Sequence, residues 1–187
     1  MSLKAKNLAL SAMFLALGLV LPLLTGQIQQ IGNMMLPMHI PVFLCGLICG
    51  WRYGAAVGFL APLLRSVTFG MPPMYPVAAA MAFELAVYGG AAGFLYHSVK
   101  RQSVGVLYRS MVLAMLAGRA VWGIAEVVLL GLRGNAFTWQ AFLAGAFLNA
   151  IPGIILQLLL IPAVMVALDK AGLIPFRKEN EARSNAS

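Results

Sequence analysis

The chain has 187 residues, 61% of them hydrophobic and 10% charged, with a mean hydropathy of +0.90. Soluble domains carry about a quarter charged residues, so this composition excludes a soluble globular domain and points to an integral membrane protein. Thirteen Lys and Arg against five Asp and Glu give +8, but no basic stretch interleaves with aromatics, so the excess is read as membrane topology and not as nucleic-acid binding.

The length suits one membrane domain, 1–187, and the hydropathy pattern predicts six helices. The first, about 5–24, is long enough to cross a hydrocarbon core of roughly 30 Å. Lys4 and Lys6 precede it as in a signal peptide, but no small-x-small cleavage pattern follows, so a retained helix is expected. Its Ala5, Ala9, Ala12 and Ala16 fall at steps of four, three and four, on one face. Small residues in a stripe let a second helix come close in lipid. That second helix can belong to this bundle or to another protein.

Gln27 to Pro41 follows, with three glutamines, Asn33 and His39 beside Pro37 and Pro41 in an otherwise apolar chain. A polar, proline-bent segment next to membrane helices is what a lid over a small-molecule pocket requires. The second helix is expected at about 37–50, with Trp51-Arg52-Tyr53 as its exit. A third at about 54–68 contains Pro62 and ends near Arg65. Gly70 to Pro76 holds Pro72, Pro73 and Pro76 and cannot continue a helix.

The fourth helix, about 77–96, carries Gly89 and Gly93 at a spacing for close packing. His97 to Tyr108 reads as a basic loop with Lys100 and Arg101, and Arg109 lies just beyond. The fifth helix spans about 110–132 and is turned by Arg133-Gly134-Asn135. The sixth, about 138–170, bends at Pro152-Gly153, and the tail 171–187 is polar and frayed. Cys45 and Cys49, four apart, form either a redox or metal pair or two small buried apolar residues. With no His or Asp cluster beside them the second reading is preferred, and no metal or cofactor is expected.

Six spans place both termini on one side of the membrane. Lys4, Lys6, Arg52, Lys100, Arg101, Arg109, Lys170, Arg177, Lys178 and Arg183 share that side against Arg133 opposite, which marks it as cytoplasmic. The fold class is therefore an all-α integral membrane bundle of six transmembrane helices with both termini cytoplasmic. The Gln27–Pro41 stretch, the Pro72-Pro73 loop and the Arg133 turn then face outward together.

Arg65, Glu84, Arg119 and Glu126 fall inside predicted spans, where charges are costly and normally face a bundle interior or an aqueous cavity. Arg119, Trp122 and Glu126 form one stripe on the fifth helix, and Glu84 and Tyr88 stack on the fourth. Asn149 and Gln157 flank the Pro152-Gly153 bend. A substrate pocket built from these groups would draw on Asn33, His39, Tyr75, Glu84, Arg119, Trp122, Glu126, Asn149 and Gln157, with Trp122 and Tyr75 offering ring faces. The competing readings are structural: an Arg119–Glu126 or Arg119–Glu84 pair that locks helices, an ordinary loop histidine at His39, and an Arg65 that snorkels to the interface. Met34, Met35, Met71 and Met74 suit hydrophobic packing of the outer loops. No phosphate-binding loop, H-E-x-x-H or G-x-S-x-G motif is present, so neither a catalytic residue nor ATP hydrolysis by that loop is expected.

These features resemble a known family. Six spans in under two hundred residues, the alanine face, and Leu36-Pro37-Met38-His39-Ile40-Pro41 occur together. Gly46 to Gly58 with Trp51-Arg52-Tyr53-Gly54, and Asn149-x-x-Pro152-Gly153-x-x-x-Gln157 before Ile161-Pro162, follow in order. Over about residues 5–170 the chain is similar to the substrate-binding S components of energy-coupling factor (ECF) vitamin transporters.

The resemblance implies a non-enzymatic subunit of an ABC-type importer, multi-pass in a prokaryotic plasma membrane. Such a subunit captures a vitamin or related micronutrient at the outer face. It delivers it inward with a transmembrane coupling protein, the T component, and two cytoplasmic ATPases. It also implies docking on the coupling protein through Ala12 and Ala16, with Ala9 beside them, and gating by the stretch between helices one and two. The alternative is a stand-alone facilitative or proton-coupled transporter, with Glu84 or Glu126 carrying the proton.

Overall fold

In the computed structural model, which describes residues 2–25, 36–132, 134, 138, 140 and 150–176, the chain is arranged about its shortest helix. The described elements are α1 (Leu3–Val20) with a tight turn Leu21–Thr25, α2 (His39–Cys49), α3 (Trp51–Phe69), a widened turn Met74–Ala78, α4 (Ala79–His97), α5 (Val104–Gly131) and α6 (Ile151–Lys170). In α2 every residue except Ile48 is buried. Its sequence HIPVFLCGLIC is apolar nearly all round, the pattern of a helix surrounded by other helices. Its 11 residues give a length of about 16 Å, half of a hydrocarbon core. It is enclosed by α1, α3, α4 and α6 instead of crossing alone.

Glycines bring α2, α3 and α4 into backbone contact. A Cβ at Gly54 would stand 2.5 Å from the Gly46 Cα, and one at Gly93 would stand 2.5 Å from the Gly46 carbonyl oxygen. Cβ atoms at Gly46, Gly58 and Gly89 would likewise overlap backbone of the facing helix. No rotamer relieves a clash with backbone, so these positions require glycine. In lipid, where the hydrophobic effect does not drive helices together, such close approach supplies the van der Waals attraction.

Six helices form among the described residues, but four elements are long and apolar enough to cross a membrane: Leu3–Leu23, Met74–His97, Val104–Gly131 and Ile151–Lys170. The short α2 and the less apolar α3, which carries Arg52 and Arg65, are not among them. The expectation of six spans is thus supported for four elements. Of the other two, α2 is almost wholly enclosed by protein, whereas α3 leaves Phe59, Leu60, Leu64 and Val67 exposed.

Several boundaries differ from the sequence reading. Trp51-Arg52-Tyr53 is the first turn of α3, entered directly through Gly50 at φ +98°. The fifth helix starts at Val104, because the Ser103 hydroxyl accepts the Val106 N–H at 3.4 Å and caps it. Tyr108 and Arg109 are therefore helical, and the basic loop is short. Pro152 lies in the first turn of α6, where the missing N–H costs nothing. The expected earlier part of that helix falls largely outside the described residues.

Side-chain contacts fix which helix ends lie together. At one end the Asn7 amide donates to the Cys49 carbonyl at 3.5 Å, and His97 Nε2 lies 3.0 Å from the Leu47 carbonyl. At the other, Arg65 Nη1 donates to the Leu19 carbonyl at 2.5 Å and the Tyr75 hydroxyl donates to the Leu129 carbonyl. The α1–α2, α3–α4 and α5–α6 connections leave from this second end. Arg65 is buried, and its guanidinium lies 5.2 Å from the Phe69 ring centroid. It ties α3 to α1. Cys45 and Cys49 are buried free thiols, with Cys45 Sγ donating to Ser11 Oγ at 3.6 Å.

Candidate functional site

Charged side chains from α4 and α5 and the first residue of α2 meet inside the bundle. Glu84 lies on the second turn of α4 and Arg119 on the middle of α5. Gly118 brings the helices close enough for them to touch: a Cβ there would overlap the Tyr88 ring and come within 3.2 Å of the Glu84 carbonyl oxygen. Arg119 Nη1 is 2.8 Å from Glu84 Oε1. His39 Nε2 lies 3.8 Å from the same oxygen, an ionic contact distance but too long for a hydrogen bond. All three side chains are buried. Of the two pairs considered from sequence, the structure forms Arg119–Glu84.

An aromatic wall closes one side of the cluster. The Tyr88 ring stacks on Phe43 (centroids 5.2 Å apart, planes at 21°) and meets His39 at the same centroid distance, tilted by 56°. Tyr88 lies one turn from Glu84 and interacts electrostatically with it. Phe43 and Tyr88 are absent from the sequence-derived candidates. The Glu84–Tyr88 spacing was a readable signal for Tyr88. Phe43, one apolar residue in an apolar helix, carried none.

Hydrogen bonding in the cluster is incomplete. Both ring nitrogens of His39 and Nε and Nη2 of Arg119 have no hydrogen-bond partner among the described residues, and neither does Nε2 of the buried Gln157 on α6. Glu84 Oε1 meets Arg119 as an ion pair without an aligned hydrogen bond. Buried polar atoms left without a partner, such as these, cost about 1–3 kcal/mol each. They are almost all donors: Arg119 offers three N–H at Nε and Nη2, Gln157 two, and a neutral His39 one.

The remaining candidates distribute as follows. Glu126 is buried two turns beyond Arg119 on α5, near enough to Glu84 for their like charges to repel. No cation pairs with it among the described residues. Trp122 is half-buried between the two on the same face. Tyr75, in the widened turn with extended backbone (φ −126°, ψ 132°), reaches Leu129 near the end of α5. Gln157 is buried on α6. Asn33 and Asn149 lie outside the described residues, as does most of the Gln27–Pro41 stretch. On α1, Ser11, Phe14 and Gly18 turn inward, whereas Ala9, Ala12 and Ala16 are exposed. Leu8, Met13 and Leu17 beside them are also exposed.

Apolar helices long enough to cross a membrane, packed around a buried charged cluster, are the architecture of a multi-pass membrane protein. Residues 6–165 match the family described as "ECF transporter, substrate-specific component", and the chain belongs to that family. It is similar to the pantothenic acid transporter PanT of Lactococcus lactis subsp. cremoris (strain MG1363), with 27% identity over 194 residues covering 90% of this chain and 96% of that protein. No solved structure matches the chain. Membership makes it a substrate-binding transport component, not an enzyme.

Proposed function

We propose that this chain is the S component of an ECF importer, taking up a vitamin-class micronutrient, with pantothenate as the ligand. The observation that carries the reading is the buried His39–Glu84–Arg119 cluster with its unpartnered donors, in a chain of this family. The relative's name supports the choice of ligand. Asn33, Tyr75, Trp122, Glu126 and Asn149 complete the proposed ligand shell, with the Gln27–Pro41 stretch as its gate.

The orientation follows from charge. Lys4, Lys6, Arg52, Lys100 and Arg101 belong to the end where Asn7 meets Cys49 and His97 meets Leu47. That end is cytoplasmic, so the site opens outward through the loops of the opposite end. The exposed Ala9, Ala12 and Ala16 form the docking face for the T component, which two ATPases drive. An alanine stripe left bare by its own bundle fits that role better than internal packing does.

Reconstitution tests the assignment. Vesicles holding the purified chain, a T component and two ATPases should accumulate radiolabelled pantothenate on ATP addition, and vesicles with the chain alone should bind it without accumulation. Concentrative or facilitated uptake by the chain alone would replace this reading with a stand-alone carrier.

A further inference from the structure

The unpartnered donors are not spread evenly along the cluster. Glu84 occupies only the Nη1 corner of the Arg119 guanidinium, leaving the Nε–Nη2 edge, with its parallel N–H pair, buried and unpartnered among the described residues. That edge is the geometry a carboxylate fills with two parallel hydrogen bonds. Glu126 lies seven residues further along the same helix face, about 10 Å away by helix rise. It is buried, with no cation beside it among the described residues, and its carboxyl oxygens are hydrogen-bond acceptors. The half-buried Trp122 lies between them. The α5 face thus presents donors at one point and acceptors about 10 Å along.

Building on the S-component reading, we infer that α5 selects a bipolar acid: the ligand's carboxylate binds the free edge of Arg119, and hydroxyl or amide donors at its other end bind Glu126. The counter-charge of Glu84 holds the guanidinium in place, so the free edge is preset when the ligand arrives. His39, 3.8 Å from the same Glu84 oxygen, supplies a further donor beside the guanidinium.

Acid and neutral partner molecules test this on the full chain in detergent. The probes are pantothenate with pantothenol, nicotinate with nicotinamide, and biotin with its primary amide, measured by titration calorimetry. Small molecules retained through gentle purification are identified by mass spectrometry. The acid of any pair that binds should bind about 100-fold more tightly or better, the scale of losing one partner of a buried charge-assisted contact. Arg119→Gln should bring the two members of the pair within about threefold. Glu126→Gln should weaken binding while preserving the preference for the acid.

A neutral member that binds wild type as tightly as its acid overturns the inference while leaving the S-component assignment standing. So does a retained ligand without a carboxylate, or an acid preference lost equally in Glu126→Gln. Absence of binding by every probe and of any retained acid overturns it as well. Uptake by the chain without its partners instead removes the S-component reading, whatever the acid preference. The wild-type comparison decides the matter even if Arg119→Gln does not fold.

Discussion

Glu84→Gln removes a charge while nearly preserving shape, and strands the buried Arg119 guanidinium whose Nη1 now lies 2.8 Å from Oε1. His39 cannot replace the lost anion, and no other carboxylate pairs with Arg119 among the described residues. Removing one partner of a buried ion pair costs about 3–5 kcal/mol, whereas removing both strands no charge. For a chain of this size each kcal/mol lowers Tm by about 2–4 °C. Glu84→Gln should therefore unfold about 6–20 °C below wild type.

The double variant Glu84→Gln/Arg119→Gln should lose less than the sum of the single losses, with a coupling of about 0.5–3 kcal/mol. Thermal unfolding in detergent can be followed with a thiol-reactive fluorogenic dye, because Cys45 and Cys49 are free and buried until the bundle opens. A Glu84→Gln midpoint within about 2 °C of wild type, below the shift expected for one kcal/mol, or strictly additive single losses, would refute the reasoning. The pair would then not be the buried lock described.

Further outcomes are expected. Replacing Ala12 and Ala16 by Trp should abolish ATP-driven uptake with ligand binding unchanged; normal uptake would remove the docking assignment. Gly89→Ala should lower Tm sharply, since its Cβ would overlap the Gly54 backbone and overpacking costs about 1–3 kcal/mol or more. Gly105→Ala, whose Cβ would find only Ser103 Oγ at 3.9 Å, should leave Tm unchanged or raised in the same melt. Tyr75→Phe, which deletes the hydroxyl bond to the Leu129 carbonyl, should weaken ligand affinity about 2–12-fold, measured by titration. His39→Ala should lower ligand affinity without changing assembly with the T component, checked by co-purification.

Much of the fold was legible because the signals are local. Apolar runs bounded by proline and glycine mark helices whatever surrounds them, and the four-three-four alanine spacing on α1 defines a face that the bundle leaves exposed. Boundaries were less legible. Ser103 begins α5 through a cap that competes with an ordinary loop reading, and α3 starts one residue after α2 because only the +98° glycine at position 50 permits so sharp a turn.

The candidate site was half legible. Charges inside apolar runs flag themselves, so Glu84, Arg119 and Glu126 stood out, whereas His39 was marked only by its place in the polar Gln27–Pro41 stretch. The pairing of the charges did not stand out, since Glu84 and Glu126 were equal partners for Arg119 in sequence.

By itself, the sequence determined that this chain belongs in a membrane, that it is helical, and which residues are too polar to face lipid. Those are properties of transfer free energy and of a fixed helical period, each set within a few turns. Tertiary structure alone decided that α2 is an enclosed helix and Arg65 a tie to α1. It likewise decided that Glu84 takes one corner of Arg119 and leaves the other bare. These outcomes depend on how closely two backbones approach, at Gly46 and Gly89 or at Gly118 and Tyr88, and no single helix carries that distance in its own residues.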